Sequence, residues 1–211
     1  MENNKKQGNV IIKDAAILFA ITLVAGLLLG FVYDITKDPI QQQEMAGKIT
    51  AYQALYPDAA DFSYNEEINS LIENSEELFI NSGADFGNVT IDEVVEVTDA
   101  SNQMIGYVIS ATSKDGYNGN IGISVGITAD GVVTGIEMLE LNETVGFGMQ
   151  AADAGFKNQY KGKQVDYFTI TKNGKSADNE IDALSGATIT STAVTNAVNA
   201  ALYFIRDCIN R

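Results

Sequence analysis

Apolar and polar positions follow a different rhythm in each part of this chain. From Ala15 to Val32, eighteen consecutive residues carry no charge and only Thr22 as a polar side chain. At about 1.5 Å per residue, such a helix is roughly 27 Å long, close to the ~30 Å hydrocarbon core of a bilayer. No polar face interrupts it, as one would in a core helix of a soluble protein. After Asp38-Pro39, the residues Met45, Ile49, Tyr52 and Leu55 recur on one helical face up to Pro57, which predicts a helical stalk. A weaker helical pattern follows, with Ile68, Leu71, Ile72 and Leu78-Phe79-Ile80 among Glu66, Glu67, Glu73, Glu76 and Glu77. From Val89 the period changes to two. Val89–Val97 and Met104–Ser110 read as strands joined by a hairpin over Asp99–Gln103, and Asn120–Thr128 and Val132–Leu141 as a second pair turned at Ala129-Asp130-Gly131. A helix is expected at Ala151–Tyr160, a strand at Tyr167–Thr171 and a mostly buried, Ala-rich helix from Ser191 to about Ile209. Short turn-linked strands between helices predict an α+β fold, an antiparallel sheet packed with helices and preceded by one N-terminal transmembrane helix.

Charge fixes the expected topology. Lys5, Lys6 and Lys13 precede the apolar run, whereas Asp34 and Asp38 bracket Lys37 after it. The positive-inside rule then places residues 1–14 in the cytoplasm, a transmembrane helix at 15–33, and residues 34–211 outside. Within that outer part, 34–88 is the expected stalk and first part of the domain, and 89–211 its strand-rich body. The run is followed by Tyr33-Asp34-Ile35-Thr36, with no small-x-small site, so a retained anchor is expected rather than a cleaved signal. Gly26 and Gly30 fit either ordinary membrane-helix composition or a small-xxx-small face for another helix.

The net charge of −15 falls almost wholly on the outer part, which argues against nucleic acid or an anionic lipid surface as partner. The chain has no histidine and one cysteine, Cys208. Ser-His and Cys-His catalysis, imidazole metal sites, an internal disulfide and an iron–sulfur cluster held by this chain alone are thereby excluded. Neither a phosphate-binding P-loop nor a dinucleotide fingerprint is present.

One segment carries distinctive chemistry: Asp182-Ala183-Leu184-Ser185-Gly186-Ala187-Thr188-Ile189-Thr190-Ser191, at the start of the last helix. Gly186 gives backbone freedom and Ala187 permits close approach. Thr188, Thr190, Ser191 and Thr192 surround a helix start, where free N–H groups and the dipole favour an anion. No acidic residue lies between Asp182 and Asp207, in a chain holding 28 of them. A plain alternative is that Thr190 or Ser191 caps the helix and the preceding residues form a tight loop.

The run Ser185-Gly186-Ala187-Thr188, with Asp182 three residues upstream of it, resembles the flavinylation signal of the FMN-binding domain family. That family includes the C subunit of the sodium-pumping NADH:quinone reductase and the G subunit of the Rnf complex. A second element, Asn142-Glu143-Thr144-Val145-Gly146-Phe147-Gly148, resembles the family's Glu-Thr-Pro-Gly-Leu-Gly signature. Leu141 stands where the family carries a His, Val145 replaces its Pro and Phe147 its Leu. A third, Gly116-Tyr117-Asn118-Gly119-Asn120-Ile121, is similar to a Gly-Tyr-x-Gly-x-Ile stretch. The likeness spans roughly residues 90–205, and the short chain fits the Rnf branch better than the longer reductase subunit.

The resemblance implies covalent FMN on Thr188 through a phosphoester, formed when a separate magnesium-dependent flavin transferase moves the FMN half of FAD. Asp182, Ser185, Gly186 and Ala187 would be the signal that enzyme reads. Glu143, Thr144, Gly146 and Gly148 would lie along the flavin, with Tyr117 stacked nearby. The implied role is a redox carrier in a membrane complex passing electrons between reduced ferredoxin and NAD⁺, coupled to Na⁺ or H⁺ translocation. Its partners would be the other membrane subunits. Alternatives are a subunit of the NADH:quinone reductase type, a stand-alone extracytoplasmic flavin or sensory protein, and a non-redox adhesion or ligand-binding module.

Overall fold

A computed structural model describes residues 2–75, 79 and 85–209. The chain divides into two units, 1–46 and 47–211. Helix α1 runs unbroken over Glu2–Leu55. It passes through Pro39 instead of restarting there, since proline removes only one backbone hydrogen bond and Gln41–Ala46 are mostly good helix formers. In the first unit the apolar side chains are exposed all round, Leu29 by 72 % and Phe19 by 67 %. This helix is long and apolar enough to cross a membrane. Glu76, Glu77, Leu78 and Ile80 lie outside the described residues, as do the side chains of Glu2, Lys5 and Lys6.

The second unit is built on a five-stranded antiparallel sheet in sequential order: β1 (Asp61–Tyr64), β2 (Val89–Thr98), β3 (Met104–Ser113), β4 (Ile121–Thr128) and β5 (Val133–Leu141). Strands β2 to β5 match the period-two segments of the sequence. Helix α2 (Glu66–Ser70) is capped by Asn65, whose side chain accepts the N–H groups of Glu67 and Ile68. Asn69, buried, brackets the backbone of Val94 on β2 with one hydrogen bond each way, at 2.8 and 3.0 Å. In place of the expected helix at Ala151–Tyr160 there is a 3₁₀ segment, Gly148–Ala152, and one turn of helix, α3 (Ala154–Lys157). Phe156 and Tyr160 still reach the core from it.

The middle of the sheet is covered on both faces, so β3 and β4 are buried almost without alternation. Tyr107, Ile109 and Ala111 of β3 belong to the core under the last helix, α4 (Thr188–Phe204), with Val194, Ala197, Val198 and Ala201. Val108 faces the other way, onto Tyr52, Leu55 and Tyr56. The segment expected as a stalk therefore ends as part of the domain: Ala51, Tyr52 and Leu55 are buried, while Ile49 remains exposed. Tyr52 donates to Glu93, which also pairs with Lys48 at 2.7 Å, and meets Ser110 at 3.2 Å. Past α4 the chain continues as a wider turn, Ile205–Ile209, where Cys208 packs partly buried against the core.

Burial raises the phenol of Tyr52 to about 12 and pushes those of Tyr56 and Tyr160 up as well. The folded state thus holds these protons more tightly than the unfolded chain, whose tyrosines titrate near 10. Stability from these groups is complete below about pH 10 and falls as the pH rises toward 12. Thermal melts of the full chain in detergent should show a steep alkaline loss from about pH 10, flattened in Tyr160→Phe; a flat profile to pH 12 would contradict these burials.

Candidate functional site

The site forms where three loops meet at the first turn of α4. Two short parallel strands, β6 (Thr169–Thr171) and β7 (Glu180–Asp182), lead into it. The Gln159 side chain brackets the backbone of Asp182, accepting its N–H at 2.8 Å and donating to its carbonyl at 3.2 Å. Buried Asn199 of α4 does the same for Phe168, at 2.7 and 2.9 Å. Two side-chain amides thereby tie the strands to the surrounding fold.

Beyond Asp182 the chain turns. Ala187 N–H donates to the Leu184 carbonyl at 3.0 Å, and Gly186 takes φ +73°, a left-handed value that glycine adopts without strain. Phe147 lies against this glycine. A Cβ on Gly186 would come within 2.9 Å of the Phe147 ring, so the turn and the Asn142–Gly148 loop fit only with glycine here.

Helix α4 begins at Thr188 and has no side-chain cap; its N-cap is Ala187. The expected capping by Thr190 or Ser191 is therefore replaced by another arrangement, because the helix starts earlier and places both residues inside it. Ser191 Oγ accepts the Leu184 N–H at 3.0 Å and donates to the Ala187 carbonyl at 2.9 Å, stapling the turn to the helix. Thr190 is buried, and its hydroxyl has no partner among the described residues. The Ser191 N–H to Ala187 carbonyl bond, 3.0 Å, is the first of the helix, so the preceding first-turn N–H groups have no helical acceptor. The first turn carries no acidic residue.

Glu143 joins the second loop to the third. Buried to 7 % exposure, it accepts the Tyr117 N–H at 2.8 Å and the Asn118 N–H at 3.4 Å through Oε1. Asn118 returns a bond from its amide to the Asn142 carbonyl at 3.0 Å. Glu143 is thus a clamp holding the Gly116–Asn118 turn in place. Removing it in Glu143→Ala leaves two N–H groups without their acceptor and should cost about 2–3 kcal/mol, because bonds to a charged group are the stronger ones. The melting temperature checks this, and an unchanged value would refute the clamp.

Together these loops enclose a cleft of about 490 Å³ lined by Tyr117, Glu143, Thr144, Phe147, Gly148, Gly186, Ala187, Thr188, Ile189 and Thr190. The sequence-predicted residues Tyr117, Glu143, Thr144, Gly148, Gly186, Ala187 and Thr188 converge there. Gly146, Ser185 and Asp182 stand outside the lining: Gly146 turns its loop at φ +80°, Ser185 sits in the exposed turn, and Asp182 ends β7. Leu141, at the place of the family's His, packs partly buried against the core. Phe147, Ile189 and Thr190 are added by the structure. The Thr188 hydroxyl has no side-chain hydrogen bond among the described residues, and Thr188 lines the cleft, half-buried.

Matches to known proteins span the residues of this cleft. A family model described as an FMN-binding domain matches residues 116–203, which include all ten cleft-lining residues. A second, the RnfG N-terminal region, matches residues 1–55. Over 197 residues the chain is 32 % identical to the G subunit of the Na⁺-translocating ferredoxin:NAD⁺ oxidoreductase complex of Acetobacterium woodii, covering 92 % of this chain and 90 % of that protein. The chain belongs to the Rnf G-subunit family. A second Rnf G subunit, from the proton-translocating ferredoxin:NAD⁺ oxidoreductase complex of Clostridium ljungdahlii, is also 32 % identical, over 90 % of this chain and 92 % of its own length. Among solved structures, Shewanella oneidensis NqrC is similar at 20 % identity and a TM-score of 0.47, covering 71 % of this chain and 67 % of that one.

The Rnf G-subunit cleft suits a flavin mononucleotide on its own features. N–H groups of the α4 first turn with no acceptor among the described residues, and a lack of acid there, favour a phosphate. Tyr117 and Phe147 offer flat apolar surface to a ring system, and Gly148 and Gly186 add no side chain to the cleft wall, where a Cβ would strike Thr190, Glu143 or Phe147. The buried hydroxyl of Thr190, also in the cleft wall, has no partner among the described residues.

Proposed function

We propose that this chain is the membrane-anchored electron carrier of an Rnf-type ferredoxin:NAD⁺ oxidoreductase, holding FMN covalently at Thr188. The observation that carries the reading is the placement of Thr188: first residue of α4, hydroxyl unengaged, on the wall of the FMN-family cleft. In the attachment step a flavin transferase joins Thr188 Oγ to the phosphorus of the FMN half of FAD. The phosphoanhydride bond to adenylate breaks, AMP leaves and the hydroxyl proton is released. Asp182 at the end of β7 and Ser185, Gly186 and Ala187 in the turn after it are the segment presented to that enzyme. Gln159 and Ser191 hold its two ends in register for it.

The bound flavin supplies reversible electron transfer, which a chain without histidine and with one cysteine does not offer. The protein binds, orients and screens. The α4 first turn receives the phosphate, Glu143 fixes the Tyr117 turn against one side of the cleft, and Phe147 covers the Gly186 turn on the other. Leaving one side of the cleft open lets electrons pass by contact with a partner subunit. The apolar part of α1 serves as a single-pass anchor, and by charge the N-terminus is cytoplasmic and the flavin domain outside. The other membrane subunits of the complex are the partners, and the coupled ion is Na⁺ or H⁺.

Membranes of a strain lacking this chain test the assignment. They should lose ferredoxin-dependent NAD⁺ reduction and regain it with the full chain, and a tagged chain should bring down the other membrane subunits. Recovery of the chain alone, with ferredoxin-dependent reduction intact in the deletion strain, would overturn the reading.

A further inference from the structure

We propose that Thr190 is a positioning residue whose hydroxyl binds the polar edge of the flavin ring, an inference that rests on the FMN reading above. Thr190 is 1 % exposed and its Oγ1 has no partner among the described residues, yet it forms part of the cleft wall. Buried hydroxyls without a partner are uncommon and call for an explanation. Its neighbours on α4 show how such groups are normally satisfied. Ser191 donates to the carbonyl four residues back at 2.9 Å, and Thr195 does likewise at 2.8 Å. For Thr190 that carbonyl belongs to Gly186, outside the helix and in a left-handed turn, so the usual local bond is not made.

At residue 148 the neighbouring loop puts no side chain against this hydroxyl. Gly148 faces it, and a Cβ there would lie 2.7 Å from Thr190 Oγ1. The residue at 148 is thus small where the hydroxyl lies. The same imagined Cβ would lie 2.7 Å from Glu143 Oε2, so hydroxyl and carboxylate flank one point at the base of the cleft. Residues 188 and 190 stand about 200° apart around a helix axis, so Thr190 does not share the Thr188 side on which the phosphate is attached. Thr190 is thereby left to the far end of the tethered group, the ring beyond its ribityl chain, as the proposal has it. A threonine hydroxyl both donates and accepts, and so can meet a ring carbonyl, a ring nitrogen or the ring N–H.

The full chain in detergent, co-expressed with a flavin transferase, gives the test through Thr190→Val, which keeps the shape and removes the hydroxyl, and Thr190→Ser, which keeps the hydroxyl. Intact mass should show one FMN on each. At a fixed poised potential the ratio of oxidised to reduced flavin in Thr190→Val should change about fivefold, the loss of one ordinary hydrogen bond to one oxidation state. The visible bands should move with it, and Thr190→Ser should restore both. The flavin-free Thr190→Val chain should melt no lower than the parent, because an unsatisfied buried group has been removed. If the Thr190→Val chain takes up no FMN, Thr190→Cys, a weak hydrogen-bonding replacement, serves for the same comparison. Parent-like bands and ratio in a fully loaded Thr190→Val chain would overturn the proposal, as would a lowered melting temperature of its flavin-free form with no spectral change. Absence of FMN from the parent chain would instead overturn the covalent-FMN reading beneath it.

Discussion

Replacing Thr188 with valine is expected to leave a folded chain that carries no FMN and no longer supports electron transfer. The side chain is half-buried at the first position of α4 and makes no hydrogen bond within the described residues, so folding has little stake in its hydroxyl. Valine keeps the branch at Cβ, and the change in stability should stay within about 0.5 kcal/mol. The proposed phosphoester is lost entirely, since no other oxygen stands at that position. In complemented membranes, ferredoxin-dependent NAD⁺ reduction should fall to the level of the deletion strain while the variant chain accumulates normally. Near-parental activity from Thr188→Val would show that the complex draws its electrons through another group, and the carrier role would fall.

The second large effect is expected at Gly148. A Cβ at this buried position would meet Glu143 Oε2 and Thr190 Oγ1 at 2.7 Å and Glu143 Cβ at 2.8 Å. All three belong to buried residues, so none can swing into solvent. Gly148→Val must displace the Glu143 clamp or close the base of the cleft, and overpacking of this kind costs about 1–3 kcal/mol. The expected result is a melting temperature several degrees lower, with flavin incorporation reduced well below that of the parent. Gly155→Ala is the control: nothing lies within 4 Å of its imagined Cβ, and both readouts should match the parent. Normal flavin content in Gly148→Val would mean that the cleft floor is not where the ring sits.

The period-two segments gave away β2 to β5 because each is long and half or wholly apolar. Strands β1 and β7 escaped because they are only 4 and 3 residues long, too short for a period to register. The helix expected at Ala151–Tyr160 failed for a different reason. Its apolar residues are anchored singly, Ala151, Phe156 and Tyr160, by turns that need no continuous helix. At the site, the Gly186 turn and Thr188 were legible from composition and motif together. Glu143 was visible as part of a motif, but its task was not: one carboxylate among 28 acids shows nothing of the 26-residue reach to Tyr117 N–H. Phe147 over Gly186 is a contact across about 40 residues that no local pattern encodes, and Thr190 fits a cap by sequence alone, whereas the cap is Ala187 and the helix begins at Thr188.

The most direct test of covalent attachment is peptide-level mass spectrometry of the chain purified from its own membranes. One FMN, linked as a phosphoester, is expected on the peptide that contains Ser185-Gly186-Ala187-Thr188, with fragmentation placing it on Thr188. An unmodified Thr188 in a chain taken from an active complex, or FMN found on a different residue, would contradict the assignment.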